Sequence, residues 1–137
     1  MLRDFMVNRC RPFIFATAPL PLMAVAVREA LLILQEEPER QQRLANLVAF
    51  THREIVVRGR SSPSNSQIVP YIVGDNARAM RLASALQARG FDIRGIRPPT
   101  VPAGTARLRI SLTLNVSEND VRSMLDALFE EAAAESR

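Results

Sequence analysis

Residues 107–114 read Arg-Leu-Arg-Ile-Ser-Leu-Thr-Leu and set the architecture of this chain. Apolar and polar residues alternate in this segment, and successive side chains of a β-strand point to opposite faces of a sheet. The three leucines and the isoleucine therefore predict a buried face, while Arg107, Arg109, Ser111 and Thr113 predict a face open to water. We expect a strand of a small sheet that helices cover on one side.

The residues before this strand predict two more strands and a helix between them. Gln67–Val73 has the composition of a strand, and Pro70 within it predicts an edge position or a bulge. Asp75 or Asn76 is expected to cap the next helix, which carries apolar residues at helical spacing and ends at Gly90. Residues 91–96 predict a second short strand. After the 107–114 strand, residues 117–120 read Ser-Glu-Asn-Asp and approximate a capping box for a last helix.

The N-terminal part of the chain has a different pattern. Residues 1–18 show no clean period, whereas Pro21–Gln35 and Pro38–Val57 predict two consecutive helices. A turn-rich loop over residues 59–66 separates them from the strands. We therefore expect an α+β fold, with a short, mostly antiparallel sheet preceded by two helices. The predicted domains are an N-terminal segment at residues 1–60 and a small domain at residues 61–137.

Composition narrows the possible functions. All 18 basic residues are arginines, spread along the chain with acids between them, so we do not expect nucleic-acid binding although the net charge is +4. Cys10 and His52 are single residues of their types, which argues against a disulfide or a zinc site and favours a cytoplasmic protein. The apolar run at residues 13–27 is too short for a membrane span, which needs about 20 residues. Finally, a chain without lysine cannot hold pyridoxal phosphate as a lysine Schiff base.

The segment most able to bind a ligand lies between the last two predicted strands. Pro98 and Pro99 fix the chain between Arg97 and Thr100, so a guanidinium and a hydroxyl stand at defined positions, as carboxylate binding requires. The residues alone favour a simpler interpretation, in which this is a proline-rich connector whose arginine faces water. No catalytic residue and no metal ligand is predicted anywhere in the chain.

Four stretches, however, resemble one enzyme family. Residues 96–109, Ile-Arg-Pro-Pro-Thr-Val-Pro-Ala-Gly-Thr-Ala-Arg-Leu-Arg, resemble the C-terminal signature of the pyridoxal-phosphate-dependent α-oxoamine synthases. The match is to the branch whose members make 8-amino-7-oxononanoate. Residues 11–18, 66–76 and 82–90 resemble further segments of the same family, in order and without large gaps. The resemblance therefore extends over essentially the whole chain and implies the small C-terminal domain of a type I pyridoxal-phosphate enzyme.

The resemblance implies a reaction and roles for three residues. Members of this branch condense alanine with a pimeloyl thioester, of CoA or a carrier protein, in biotin biosynthesis, and work as homodimers. By resemblance, Arg97 binds the amino-acid carboxylate, Thr100 contacts substrate, and Thr17 reaches the cofactor phosphate of the neighbouring subunit. Phe15 departs from relatives with tyrosine at that position.

The family's cofactor lysine has no counterpart in this chain. We therefore expect a C-terminal fragment that is inactive alone and does not hold the cofactor by itself. In such a fragment, residues 1–60 are expected to link the small domain to an absent large domain. Two alternatives stay open. One is a non-catalytic module that binds a small carboxylate or a partner subunit. The other is a fragment of a sibling enzyme, a glycine C-acetyltransferase or a 5-aminolevulinate synthase.

Overall fold

The computed structural model describes residues 1–11, 18–61 and 64–135. It divides the chain into two compact units, Met1–Pro38 and Glu39–Arg137. The long helix that begins at Pro38 therefore lies almost entirely in the unit that contains the sheet, whereas the sequence placed it with the N-terminal segment. That residues 1–60 link the sheet domain to a larger domain stays a prediction.

Among its described residues, the first unit contains helix α1 at Leu2–Arg9 and helix α2 at Pro21–Glu36. Helix α2 matches its predicted bounds and has proline in its first turn, where the missing amide costs no hydrogen bond. Helix α1 was not predicted, because its residues show no apolar period. No residue of either helix is buried. Within the described residues, no helix is long and apolar enough to cross a membrane.

The second unit follows an α-β-α-β-β-α order. Its elements are α3 at Pro38–Val57, β1 at Ile68–Gly74, α4 at Asn76–Ala88, β2 at Arg94–Ile96, β3 at Ala106–Ser111 and α5 at Glu118–Ala134. The three strands form one sheet in the order β1-β3-β2, and both pairs are antiparallel. The predicted α+β fold with a short antiparallel sheet is therefore confirmed.

Pro70 predicted an edge position or a bulge, and strand β1 does lie at an edge of this sheet; its pairing with β3 becomes irregular between Ile72 and Gly74. The amide of Leu112 donates to the carbonyl of Gln67. Because residues of an antiparallel strand alternate between bonding to the partner strand and facing away from it, the backbone groups of the next residue, Ile68, point away from β3. These outward groups bond to serine side chains of the preceding loop, Ser64 and Ser66. Serine contacts and the missing amide of proline thus protect the edge from pairing with another strand.

Helix α4 begins and ends as the sequence indicates. The Asp75 side chain accepts from the Arg78 amide at 2.8 Å. At the other end, Gly90 has φ +91° and donates to Gln87, while Phe91 donates to Leu86, which is a Schellman motif. The predicted strand over residues 91–96 was too long: β2 begins only at Arg94, because the amide of Phe91 is used to end the helix.

The core lies between the sheet and the helices. Helix α4 packs directly on all three strands, and α5 packs on α4. Gly95 on β2 lets α4 pack closely against the sheet, since a Cβ at this position would lie 2.8 Å from the sulfur of Met80 on α4. Aliphatic side chains from α4, β3 and α5 are fully buried, namely Leu82, Leu86, Leu108, Leu125 and Leu128. The predicted buried face of β3 is confirmed by Leu108, Ile110 and Leu112.

Arginines connect the helices at the surface of this unit. Arg89, the C-cap of α4, pairs with Glu130 and Glu131 of α5, and Arg58, just after α3, pairs with Asp126 of α5. Arg122 lies with its guanidinium carbon 4.8 Å from the ring centroid of Phe50. These three arginines therefore connect neighbouring helices.

Candidate functional site: the open face of the sheet

The face of the sheet opposite the core combines arginines with aliphatic side chains. On β3, Arg107 is half-buried and Arg109 is exposed, and they alternate with the buried Leu108. The register places Arg109 between Pro70 and Arg94 of the two flanking strands. It places Arg107 between two isoleucines, Ile72 on β1 and Ile96 on β2.

The proline-rich loop between β2 and β3 begins with a tight turn. The amide of Thr100 donates to the carbonyl of Arg97 at 3.1 Å, and the peptide bond between Pro98 and Pro99 is cis. A turn with a cis-proline at its third position is a type VI β-turn. Arg97 and Thr100 are therefore the first and last residues of one turn, and both side chains are exposed.

A cavity of about 300 Å³ lies on this open face. Its walls come from the loop before β1, from all three strands and from the β2–β3 loop; the lining residues are Ser64, Ser66, Ile68, Pro70, Ile96, Thr100, Arg107 and Arg109. The volume is at the lower end of the range for small-molecule sites. The cavity thus brings three hydroxyl groups, two guanidinium groups and a small aliphatic wall together.

The two arginines of the cavity differ in how their donors are used. Arg107 donates from Nε to the carbonyl of Thr105 and from Nη2 to its hydroxyl, both at 3.0 Å. Arg109 forms no ion pair with a carboxylate of the described residues. The neighbouring Arg94 pairs with Asp92 at 2.8 Å. Arg109 is therefore the cavity arginine best able to bind an anion.

This arrangement can bind and orient a carboxylate, because a guanidinium presents parallel N–H donors to two oxygens and a hydroxyl adds a third contact. The lining within the described residues contains no acid, histidine, cysteine or lysine that could transfer a proton near neutral pH. Nor do the described residues contain a cluster of three or more His, Cys, Asp and Glu side chains able to hold a metal ion. The described residues of this face offer donors for binding an anion.

The three predicted site residues lie in different situations. Thr100 lines the cavity, whereas Arg97 is at the other end of the same turn and is not among the lining residues described. Thr17 lies outside the described residues, as does Phe15. Their roles stay predictions. The sequence predicted only that Arg107 and Arg109 lie on the water-facing side of a strand. The alternation of residues 107–114 places both on that face, but it does not show which loop lies over the same face.

A family model and several relatives match this chain. The model described as aminotransferase class I and II matches residues 1–128.

This chain belongs to the aminotransferase class I and II family.

Relatives within the family are named 8-amino-7-oxononanoate synthase. The protein of Polaromonas naphthalenivorans (strain CJ2) is 41% identical over 137 residues. The match covers 93% of this chain and 34% of that protein. The protein of Pseudescherichia vulneris is 44% identical over 123 residues, covering 88% of this chain and 32% of its own length. This chain therefore spans about a third of the length of these curated relatives.

Solved structures of two enzymes share the fold. An 8-amino-7-oxononanoate synthase from Francisella tularensis superposes with a TM-score of 0.82 at 22% identity, covering 99% of this chain and 40% of that one. A Sphingomonas wittichii serine palmitoyltransferase gives 0.83 at 24% identity, covering 96% of this chain and 34% of the other. The predicted fold, that of the small domain of a type I pyridoxal-phosphate enzyme, is therefore confirmed.

The residues of this chain do not by themselves fit pyridoxal phosphate, the cofactor of these enzymes. The cofactor is ordinarily held through a lysine amine, and all 18 basic residues here are arginines, whose guanidinium stays protonated and cannot take that role. The cavity on the open face offers donors for a carboxylate and no amine. Only the binding steps of a reaction can therefore be derived from this chain.

Proposed function

We propose that this chain is the substrate-binding small domain of an acyltransferase that condenses alanine with a pimeloyl thioester to 8-amino-7-oxononanoate, in biotin biosynthesis. One observation carries the proposal: Thr100 and Arg109 line the same cavity on the open face of the sheet. The names of relatives at about 40% identity support the same reaction. A complete enzyme would bind pyridoxal phosphate and form a homodimer, and this chain alone is inactive.

The cavity suggests how the work of binding is divided. Arg109 pairs with the carboxylate of the amino-acid substrate, and Thr100 donates a hydrogen bond to the same substrate. Arg97, at the first position of the turn, binds the same carboxylate, a role taken from the resemblance. Thr17 reaches the cofactor phosphate of the neighbouring subunit; this last role rests on the resemblance alone.

The test is a chimera that joins this chain to the preceding part of the Polaromonas naphthalenivorans relative, which supplies the cofactor lysine. We expect alanine-dependent release of CoA from pimeloyl-CoA. Arg109→Met and Arg97→Ala should each raise the KM for alanine about 10- to 100-fold, the usual effect of losing a hydrogen-bonded charge. Arg94→Met is the matched control, because Arg94 lies on the same face but is paired with Asp92.

The outcomes separate the roles of the two arginines. An unchanged KM in Arg97→Ala with a raised KM in Arg109→Met would assign carboxylate binding to Arg109 and contradict the role given to Arg97. A chimera that binds pyridoxal phosphate, as its absorption spectrum shows, but does not react with alanine would contradict the proposed function. Activity with glycine and acetyl-CoA or succinyl-CoA in place of these substrates would favour a sibling enzyme.

A second candidate function is that of a non-catalytic module that binds a small carboxylate. It is supported by the described lining of the cavity, which offers hydrogen-bond donors and contains no group able to transfer a proton near neutral pH. A module that only binds a small carboxylate needs no more than the donors seen here. In that case the chain without any added domain should bind alanine or pimelate in a calorimetric titration, and Arg109→Met should abolish the signal. The synthase proposal expects no binding by the chain alone.

A further inference from the structure

The loop between β2 and β3 ends in a second turn, at residues 102–105. The carbonyl of Pro102 accepts two hydrogen bonds from Thr105, one from its amide at 3.2 Å and one from its hydroxyl at 2.7 Å. The Thr105 hydroxyl in turn accepts from Arg107 Nη2, and the Thr105 carbonyl accepts from Arg107 Nε. A continuous set of hydrogen bonds therefore runs from strand β3 to the carbonyl of Pro102.

The second turn is held by Arg107 of the central strand and lies next to the end of β1. Arg107 belongs to the central strand, is half-buried, and stands between Ile72 and Ile96 in the register of the sheet. The turn also lies close to the end of β1, since a Cβ placed on Gly74 would be 3.5 Å from the carbonyl oxygen of Gly104. The Arg107 guanidinium thus ties the turn to the central strand of the sheet.

Thr100 lies between two fixed turns. On one side its own amide closes the turn that begins at Arg97, and on the other only Val101 separates it from Pro102. Because Pro102 is held through Thr105 and Arg107, the position of the Thr100 hydroxyl at the cavity depends on those two side chains.

We propose that Arg107 is a positioning residue, which acts through Thr105 to hold the second turn and hence Thr100 at the cavity. Arg107 is not itself a ligand of the substrate, although it lines the cavity. What Thr100 then binds rests on the proposed function; the positioning itself does not.

The competing explanation is that Arg107 binds the substrate directly. The two differ in how they depend on Thr105. If Arg107 acts through Thr105, removing the Thr105 hydroxyl with the isosteric Thr105→Val removes part of what Arg107 does, and the two substitutions are not additive. If Arg107 binds substrate directly, its effect is independent of Thr105. Arg107→Lys keeps the charge but lacks the planar fork that bonds to two oxygens at once, so positioning predicts that lysine does not restore the wild-type behaviour.

The first measurement is amide hydrogen exchange by NMR on the chain itself, at Thr105 and Thr100. We expect Arg107→Met to speed exchange at both amides about fivefold or more, the effect of losing an ordinary hydrogen bond, and Arg107→Lys and Thr105→Val to act in the same direction. Thr105→Ser should behave as wild type. Arg109→Met should leave the exchange rates at Thr100 and Thr105 unchanged. The amide of Leu112 is the internal reference, and its exchange rate should be the same in all variants. Unchanged exchange in both Arg107→Met and Thr105→Val would overturn the proposal.

The second measurement is a double-mutant cycle on the KM for alanine in the chimera described above. Positioning predicts that Arg107→Met raises the KM in the wild-type background and has a smaller effect beside Thr105→Val, where the bond from Arg107 Nε to the backbone carbonyl remains. An equal effect of Arg107→Met in both backgrounds would overturn the proposal in favour of direct binding. A changed exchange rate in a chimera that binds the cofactor but does not use alanine would contradict the proposed function and leave the positioning role in place.

Discussion

The residues with the clearest individual roles in this chain are those whose position is set by the backbone conformation or by the strand register. Gly90 is one such residue, because it ends α4 with φ +91°. Arg107 and Arg109 are others: they are chemically identical, two positions apart and both line the cavity, yet of the two it is Arg107 whose guanidinium is hydrogen-bonded to Thr105. The sequence predicted Gly90 correctly from local pattern, but it could not distinguish the two arginines, because Thr105 and the cavity walls meet only after the strands pair.

Gly90→Ala should destabilise the chain by about 1 kcal/mol, since a Cβ is disfavoured in the left-handed region. No heavy atom lies within 4 Å of the position where that Cβ would be, so the cost comes from the backbone and not from a clash. Gly90→Asn should cost less, because asparagine adopts this conformation more readily. Urea unfolding followed by circular dichroism measures both variants; equal stability of Gly90→Ala and wild type would contradict the explanation.

At the scale of elements, the ends of helices were predicted better than the ends of strands. Capping depends on neighbours in sequence, and the Ser117–Asp120 capping box is confirmed, with each side chain bonded to the other residue's backbone amide. Strand ends depend on partners far away in sequence. Strand β3 was predicted to run to Leu114 but ends at Ser111, and β2 starts three residues later than expected.

The capping box gives α5 a pH-dependent stability. The backbone amide of Ser117 donates to the Asp120 carboxylate and holds its pKa below the ordinary value for aspartate. A lowered pKa in the folded state stabilises the fold above the unfolded pKa, and this contribution is lost as the pH falls through the folded pKa. The difference in Tm between wild type and Asp120→Asn should therefore be largest at neutral pH and should shrink below about pH 4.

A matched variant separates the cap from the charge. Ser117→Ala removes a hydroxyl that accepts from the Asp120 amide and donates to the Asp120 carboxylate, and it should cost about 1 kcal/mol at neutral pH. Part of the pH dependence should remain, since the carboxylate still accepts from the Ser117 backbone amide. Thermal unfolding of both variants at neutral and acidic pH would test this. A Tm difference for Asp120→Asn that stays constant across that range would contradict the assigned role of the carboxylate.

At the scale of the whole molecule, the two units have very different surfaces. The sheet unit buries a full aliphatic core, whereas α2 buries none of its residues although most are apolar. Leu22 is 67% exposed and Leu31 is 55% exposed. A helix that is apolar around most of its circumference is typical of one covered by other protein. The relatives are about three times longer than this chain, and we expect parts of such a protein, or a partner subunit, to cover the helix.

The exposed helix predicts the behaviour of the purified chain. It should bind a hydrophobic dye such as anilinonaphthalene sulfonate and should self-associate, because contiguous apolar surface of this kind is rarely left in water. Val27→Glu with Leu31→Glu, two positions on one face of α2, should reduce both effects. The control is Glu29→Gln with Arg28→Gln, which changes charged residues of the same helix without adding polarity to that face. A chain that is monomeric and does not bind the dye would contradict the prediction.

The amino-acid sequence by itself determined the helix caps, the buried face of β3, the edge position of β1 and the lack of a lysine to hold a cofactor, because each depends on residue type or on neighbours a few positions apart. Only the tertiary structure decided that Thr100 and Arg109 share a cavity, that Arg107 is bonded to Thr105, and that α3 belongs with the sheet. Those relations depend on strand register and on loops folding back across the sheet, where residues far apart in sequence come within hydrogen-bonding distance.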